Sequence, residues 1–253
     1  MLLMRSIKHY ILLVVWVLGS VAALAQERTV ENRPYTDLRP FHFGVVAGLH
    51  FQDLELENVG PITINGNEGE SFASYVSVDQ DRWDPGFQVG VLGEARLGTY
   101  FAFRLAPTML FANRHLTFLN FTKPTDTGEP TEERQNLKSV YIAAVMDVIF
   151  AAKRFNNHRP YVLAGITPVL NLTSRDNDYL RLKKGDVFFD VGIGCDFYMP
   201  FFKLRPELKF MYGLSNCLDK GHADRLRDPN MQSYARSVSA ARSKMICLSF
   251  YFE

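Results

Sequence analysis

Two histidines, His42 and His50, are the first side chains of this sequence that could do chemistry, because both lie on the polar face of one alternating segment. Eight residues of extended strand span about 26 Å at ~3.3 Å per residue, which is too far for a shared metal ion. The chain also shows no Ser-His-Asp spacing of the kind that hydrolases use. We therefore expect no enzyme, no metal and no cofactor, and interpret both histidines as filling of a polar interior.

The three cysteines, Cys195, Cys217 and Cys247, are too few and too scattered for a disulfide framework. No pair has the spacing of metal ligands, and Cys195 and Cys247 fall on opposite faces of the strands assigned below. We interpret all three as packing residues.

Charged connections form a second candidate group. The acidic stretches 53–57 and 79–84 resemble cation sites only in composition, since the ligand spacing of a calcium loop is missing, and we expect solvated loops. Trp83 could contact a partner or pack its own loop. A basic connection is predicted to meet acidic lipopolysaccharide or a partner protein through Arg225, Arg227, Arg236 and Arg242.

A third group consists of charged residues that share the polar face of alternating segments. Five are acidic and five are basic, so in a narrow interior they could pair and exclude water. This predicted lumenal charge network comprises Glu94, Arg96, Arg104, Asp147, Asp190, Asp196, Lys203, Arg205, Glu207 and Lys209.

Strands must position these charges, because apolar and polar residues alternate with period two along the chain. The first strand, residues 41–51, carries apolar residues at the odd positions Phe41, Phe43, Val45, Ala47, Leu49 and Phe51. Seven more strands follow, separated by connections predicted at 52–86, 98–99, 112–136, 151–160, 172–186, 198–201 and 213–243. Proline lacks a ladder donor, so we expect bulges at Pro107, Pro168 and Pro206.

The connections alternate between long and short. Strands of about ten residues and short periplasmic turns facing long extracellular loops are typical of outer-membrane barrels. The fold class is therefore predicted as an all-β, eight-stranded antiparallel transmembrane β-barrel of outer-membrane type, in the cell outer membrane with both termini periplasmic. A soluble lipocalin-type barrel is the alternative, with its apolar face turned inward. An expected aromatic rim favours the membrane: Phe101, Phe150, Phe197, Tyr198, Phe201, Phe202, Tyr251 and Phe252.

The first 25 residues differ from the rest of the chain. Arg5 and Lys8 precede the apolar run 10–18, and small residues precede a predicted cleavage between Ala25 and Gln26. This pattern predicts a cleaved secretory signal; an uncleaved anchor is the alternative, but the run is shorter than the ~20 residues of a spanning helix. Residues 26–40 would form a short periplasmic segment and residues 41–253 the barrel.

Removal of the signal takes away two basic and no acidic residues, which leaves 26 basic against 27 acidic side chains. Nucleic-acid binding requires a basic face that neutralises phosphates. The nearly balanced charge therefore argues against a nucleic-acid partner, and outer-membrane lipid and lipopolysaccharide are the partners expected from the fold.

Two segments, residues 34–50 and 159–165, resemble the PorT family of Bacteroidota outer-membrane barrels. The similarity that they imply would cover nearly the whole mature chain. The first contains an aromatic-Gly-x-x-x-Gly strand and the second the run Arg-Pro-Tyr-x-x-x-Gly. The resemblance implies a non-enzymatic component of type IX secretion, which exports proteases and adhesins, with other secretion-system proteins as partners. A stand-alone barrel that acts as a narrow channel, an adhesin or a lumenal-site enzyme is the alternative.

Overall fold

The computed structural model describes residues 30–65, 71–126, 128–173 and 178–253. The predicted signal, including Ala25 and Gln26, lies outside these ranges. Among the described residues, no helix has the length and apolar character needed to cross a membrane. The strands are β1 (Phe41–Asn58), β2 (Ile62–Asn65), β3 (Ser71–Ser74), β4 (Val76–Asp79), β5 (Asp84–Arg96), β6 (Phe101–Pro124), β7 (Pro130–Ala151), β8 (His158–Asn171), β9 (Gly185–Tyr198), β10 (Lys203–Gly213) and β11 (Val238–Phe252).

Eight of these strands close into an antiparallel ring in the order β1, β5, β6, β7, β8, β9, β10, β11 and back to β1. The closing pair runs from Val45 opposite Phe252 to Asn58 opposite Val238, with a bulge next to Glu57. Outside the ring, β4 pairs with the far end of β6, and β2 and β3 form a separate hairpin. The predicted eight-stranded antiparallel barrel is confirmed.

The two ends of the barrel differ. The turn end carries the connections 97–100, 152–157 and 199–202, together with the start of β1 and the end of β11. The loop end carries the connections 59–83, 125–129, 172–184 and 214–237, which include the short helices α1 (His222–Arg225) and α2 (Pro229–Ala235). A 3-10 turn, Thr36–Leu38, precedes the barrel at the turn end.

The prediction of a long loop at 112–136 was wrong, because β6 and β7 continue as a tall hairpin with only residues 125–129 between them. The acidic stretch 53–57 likewise lies inside β1, and the stretch 79–84 ends in a fully buried carboxylate, Asp84. The alternation of apolar and polar residues continues through these strand extensions, but the apolar residues face inward there instead of outward.

This change of face is clearest in β1. Between residues 41 and 51 the apolar side chains point outward, and Phe43 is 76% exposed. Beyond that point Leu54 is buried, whereas the outward positions hold Glu55 and Glu57. Eleven tilted strand residues cover about 25 Å, the height of the apolar band of an outer-membrane barrel. The inversion therefore marks the upper edge of a lipid-facing belt.

Other strands invert at the same level. In β6, Phe103 and Leu105 are exposed, but Leu116 and Phe118 are buried. In β11 the outward residues near the loop end are polar, as at Arg242, before the apolar series toward Phe252 begins. The barrel thus continues beyond the belt with an ordinary hydrophobic interior and a polar exterior.

The prolines were expected to cause bulges, and that expectation was wrong. Pro107 pairs in register with Ala144, and the pairing of β5 with β6 on its other side skips two positions without a shift. Pro168 and Pro206 behave in the same way. Each proline interrupts the ladder hydrogen bonds to one neighbouring strand only. The alternation of side chains across the barrel wall is therefore preserved.

Two members of the predicted aromatic rim point elsewhere. Tyr198 and Tyr251 are buried in the barrel interior, because they alternate with the outward-facing Phe197 and Phe252. The other rim residues face outward, and Phe201, at the tip of a turn, is 94% exposed.

Candidate functional site

Arg205 of β10 is the centre of the charged lumen near the turn end. Its Nη1 lies 2.6 Å from Glu94 Oε2 and 2.5 Å from Glu253 Oε1, and its Nε lies 2.6 Å from Asp196 Oδ1. Lys203 forms an ion pair with the same Glu253. Inward positions of strands on both sides of the ring thus converge on one buried guanidinium.

A second group lies nearer the middle of the barrel. Arg104 Nη1 donates to Glu207 Oε2 at 2.6 Å, and Lys209 Nζ donates to Asp147 Oδ2 at 2.6 Å. The two pairs are linked, since Lys209 Nζ is 3.6 Å from Glu207 Oε1. All four side chains are buried. A buried charge is costly unless it is paired. Removing any one of these four charged side chains should therefore lower the free energy of unfolding.

The structure brings eight of the ten predicted network residues into ion pairs, and two lie apart. Arg96 is at the exposed rim, where it donates to the carbonyls of Gly98 and Leu38. It is the last residue of β5, so its side chain lies at the turn-end mouth of the lumen. Asp190 is buried but accepts a hydrogen bond of 2.5 Å from Thr167 Oγ1.

Sequence reasoning missed several lumenal partners. Tyr161 donates to Glu207 at 2.9 Å, and the Tyr251 ring lies 4.3 Å from the Arg104 guanidinium carbon. Glu253 lies two residues after the inward-facing Tyr251, so the alternation alone could have predicted that Glu253 faces the lumen. Arg114 is fully buried and donates to Gln52 at 2.9 Å. Periodicity does not reveal it, because it lies within the predicted connection 112–136.

Glycine allows the lumenal rings to lie flat against the wall. A Cβ at Gly194 would collide with the Tyr161 ring, and one at Gly86 would collide with the His50 ring. His50 is fully buried, with its Nε2 2.9 Å from Gln52 Nε2. The inward rings of Tyr161 and His50 therefore each depend on a glycine on a neighbouring strand.

Two small cavities lie between the described side chains of the lumen, and each has the scale of a single water molecule. One cavity of about 20 Å³ lies near His42 and Glu94, and another of about 10 Å³ lies between Gln88 and Cys247. A water molecule needs roughly 10–15 Å³ of such space. These cavities are much too small for a nutrient or an ion with its hydration shell.

Residues 30–40, which we call the N-terminal clasp, cover the turn end. Asn32 N donates to Asn157 Oδ1 at 2.8 Å, and the Tyr198 hydroxyl donates to Asp37 Oδ1 at 2.6 Å. Arg154 lies over the Tyr198 ring at 3.7 Å and donates to the carbonyl of Asn32 at 2.5 Å. The clasp is thus fixed to the turn 152–157 and to Tyr198, the last residue of β9.

The loop end is closed by a hydrophobic cluster. Its members come from the upper parts of the ring strands, from β4 and from the connections 172–184 and 214–237. They are Leu54, Val76, Val78, Leu116, Phe118, Leu137, Leu180, Leu182, Cys217, Leu218, Tyr234, Val238 and Ala241. The barrel is therefore covered at both ends as well as filled in the middle.

The predicted cysteine and loop features are placed as follows. All three cysteines are free, and burial raises the pKa of the Cys217 thiol.

Among the arginines predicted to make a basic connection, Arg225 pairs with Asp219 and Arg236 with Asp224, while Arg242 lies in β11. Two of the four predicted arginines are therefore paired with carboxylates.

Comparison with known proteins gives one family. A family model described as "Outer membrane protein beta-barrel domain" matches residues 24–219. No curated protein matches the chain.

Solved barrels resemble the chain at low identity. Neisserial surface protein A (NspA) has a TM-score of 0.39 and 11% identity, covering 84% of this chain and 98% of that one. OprG from Pseudomonas aeruginosa has a TM-score of 0.45 and 10% identity, covering 83% and 93%. Ail of Yersinia pestis, in complex with the heparin analogue sucrose octasulfate, has a TM-score of 0.36 and 10% identity, covering 85% and 99%.

Proposed function

The chain belongs to the family of outer membrane protein beta-barrel domains, and on that premise we propose that it is a non-enzymatic component required for type IX protein secretion. Its role is that of a scaffold or assembly platform for other secretion-system proteins. The observation that carries this proposal is the filled lumen, in which paired charges such as Arg205 with Glu94 occupy the space a channel would need.

Two further features support a scaffold. The segments 34–50 and 159–165 resemble the PorT family, and both contribute to the turn end, where Asp37 and Arg159 lie 3.5 Å apart. The clasp and the short turns form a surface fixed by many hydrogen bonds. A fixed surface loses little conformational entropy when a partner binds.

The proposed orientation places the turn end and both termini in the periplasm, with the loop end outside the cell. Two variants test it, Lys184→Cys at the loop end and Lys153→Cys at the turn end. Both lysines are exposed, so the introduced thiols are accessible. A membrane-impermeant maleimide should label Lys184→Cys in intact cells and Lys153→Cys only after lysis. Cys217 and Cys247 are buried but Cys195 is half-buried, so labelling of the unmodified chain is measured in both conditions and subtracted as background. The reverse labelling pattern would refute this orientation.

Deletion of the gene tests the secretion role. We expect cargo proteases and adhesins to accumulate in the periplasm, with small-solute permeability unchanged and secretion restored by the wild-type chain. Unimpaired secretion in the deletion strain would reject the proposal.

The channel alternative has its own readout. A purified barrel with a filled lumen should give no stepwise conductance in a planar bilayer, and reproducible conductance would favour the stand-alone channel instead. Cross-linking in native outer membranes followed by mass spectrometry should recover secretion-system proteins with the chain. Recovery of the barrel alone would count against the scaffold.

A further inference from the structure

An open cleft of about 700 Å³ lies at the loop end, between the connections 172–184 and 214–237. The residues that line it are Arg181, Leu182, Lys183, Lys184, Asp219, His222 and Arg225. Four of these side chains are basic at neutral pH without counting the histidine, and one is acidic. The cleft is separate from the lumenal charge network.

The walls of the cleft are held together by backbone pairing. Lys183 N donates to the Cys217 carbonyl at 2.7 Å, and Asp219 N donates to the Arg181 carbonyl at 2.9 Å. Leu182 and Leu218 form a bridge between these bonds. The geometry of the cleft is thus set before any ligand arrives.

His222 adds a further tie between the two connections, because its Nε2 lies 2.7 Å from the Asp178 carbonyl oxygen. The ring is buried, and it joins the short helix α1 to the opposite wall. Its contribution to the cleft is therefore structural.

Asp219 is the acidic side chain among the described residues that line the cleft. Asp219 Oδ2 is 2.5 Å from Arg225 Nη2 and 3.8 Å from Arg181 Nε, so one carboxylate faces two guanidinium groups. Lys183 Nζ donates to the Asn216 carbonyl at 2.7 Å, and the Lys184 side chain is exposed. Among the described lining residues, basic side chains therefore outnumber acidic ones by four to one.

The height of the cleft is set by its contact with β8. Asn171 N, at the end of that strand, donates to the Lys184 carbonyl at 2.6 Å. The neighbouring Leu170 and Leu172 are exposed on the outer wall, as is Val187. Lys183 and Lys184 therefore stand directly above the apolar belt, at the level of lipid headgroups.

We propose that this cleft binds phosphate groups of an anionic glycolipid in the outer leaflet. Lysine and arginine donate charge-assisted hydrogen bonds to phosphate oxygens, and the apolar belt beneath would contact the acyl chains. The proposal rests on the orientation given above, with the loop end outside the cell. A soluble polyphosphate offers the same chemistry without acyl chains, so the test separates these two sources.

The experiment measures binding of fluorescent lipopolysaccharide to the purified full chain in detergent micelles at physiological salt. The variant is Lys183→Glu/Lys184→Glu. The matched control is Lys138→Glu/Lys153→Glu, which has the same change in charge at two exposed lysines that do not line the cleft. Circular dichroism establishes that both variants retain the barrel.

We expect the cleft variant to bind at least about tenfold more weakly, since one basic residue near an anionic lipid surface contributes about fivefold. The control should bind like the wild type. Inositol hexakisphosphate should compete more weakly than unlabelled lipopolysaccharide, because it offers phosphates without acyl chains. Equally strong competition would assign the site to soluble phosphates and overturn the lipid assignment. Equal affinities of the two folded variants would overturn the proposal. Secretion assays remain a separate readout, so failure here leaves the proposed function to its own test.

Discussion

The interior of the barrel consists of two halves with opposite chemistry. Within the lipid-facing belt, ion pairs such as Arg104 with Glu207 and Lys209 with Asp147 occupy the lumen together with smaller apolar clusters. Above the belt, Leu116 and its neighbours form an apolar core of the kind found in soluble proteins. The same strands, β1, β6, β7 and β11, run through both halves.

The difference follows from what surrounds each half. Lipid outside the wall requires apolar residues there, which leaves the polar residues of the alternation to face inward. Water outside the wall reverses the assignment, so the apolar residues move inside. The surroundings thus decide which face of a strand becomes the core, and the strand geometry accommodates either choice.

The largest effect is expected in the charged half. Arg205→Leu removes the cation that Glu94, Asp196 and Glu253 share, and should lower the free energy of unfolding by about 3–5 kcal/mol. Guanidinium unfolding in lipid vesicles, followed by circular dichroism, measures the change. Arg96→Leu is the control, with a loss of at most about 1 kcal/mol, because its partners are rim carbonyls. Similar losses for both arginines would contradict a cooperative lumenal network.

The apolar half should respond to a cavity. Leu116 is buried in the loop-end cluster, and Leu116→Ala should cost about 3 kcal/mol through lost burial and an unfilled void. The same unfolding experiment applies. Leu119 is only half-buried three residues later, so Leu119→Ala should cost about 1 kcal/mol. A negligible effect at Leu116 would mean that the upper half is not a packed core.

The boundary between the halves can be tested from outside. Ala47 faces outward in the middle of the belt, and Ala47→Arg should destabilise the barrel in a bilayer by about 2–3 kcal/mol. Asn136 faces outward above the belt, so Asn136→Arg should change stability by less than about 0.5 kcal/mol. Equal tolerance of arginine at both positions would place the membrane elsewhere on the wall.

The smallest effect is expected on the outer wall above the belt. Lys244 Nζ lies 2.9 Å from Glu55 Oε2, and this hydrogen bond keeps the pKa of Glu55 below its ordinary value. A depressed carboxylate pKa favours the folded state above the unfolded pKa, and this contribution is lost as the pH falls through the folded value. Lys244→Ala should hardly move the unfolding midpoint at neutral pH, because the pair is exposed.

The pH dependence supplies the check on this pair. Midpoints of the wild type and of Lys244→Ala should converge in acid, where Glu55 is protonated in both chains. A loss at neutral pH as large as that of Leu116→Ala would contradict the view that the outer pairs contribute little.

Sequence alone was sufficient for the belt and for most of its interior. Period two predicted the eight strands, and parity brought Glu94, Arg104 and Glu207 to one side of the wall. The pattern fails above the belt, where the apolar residues of a strand face inward instead of outward. Leu54 and Leu116 therefore fall in predicted loops although both lie in strands. The pairing of Arg205 with three carboxylates could not be predicted, since it depends on the register between strands that are distant in sequence.

The join between β1 and β11 has a consequence for how the chain reaches this state. These strands lie at opposite ends of the barrel sequence, so the ring closes through contacts with a very large separation along the chain, which are slow to form. Until they form, two long strand edges stay open and offer hydrogen bonds to any other chain. Assembly therefore includes an interval of aggregation risk that ends only at closure, and escort by a chaperone would matter most before the first and last strands meet.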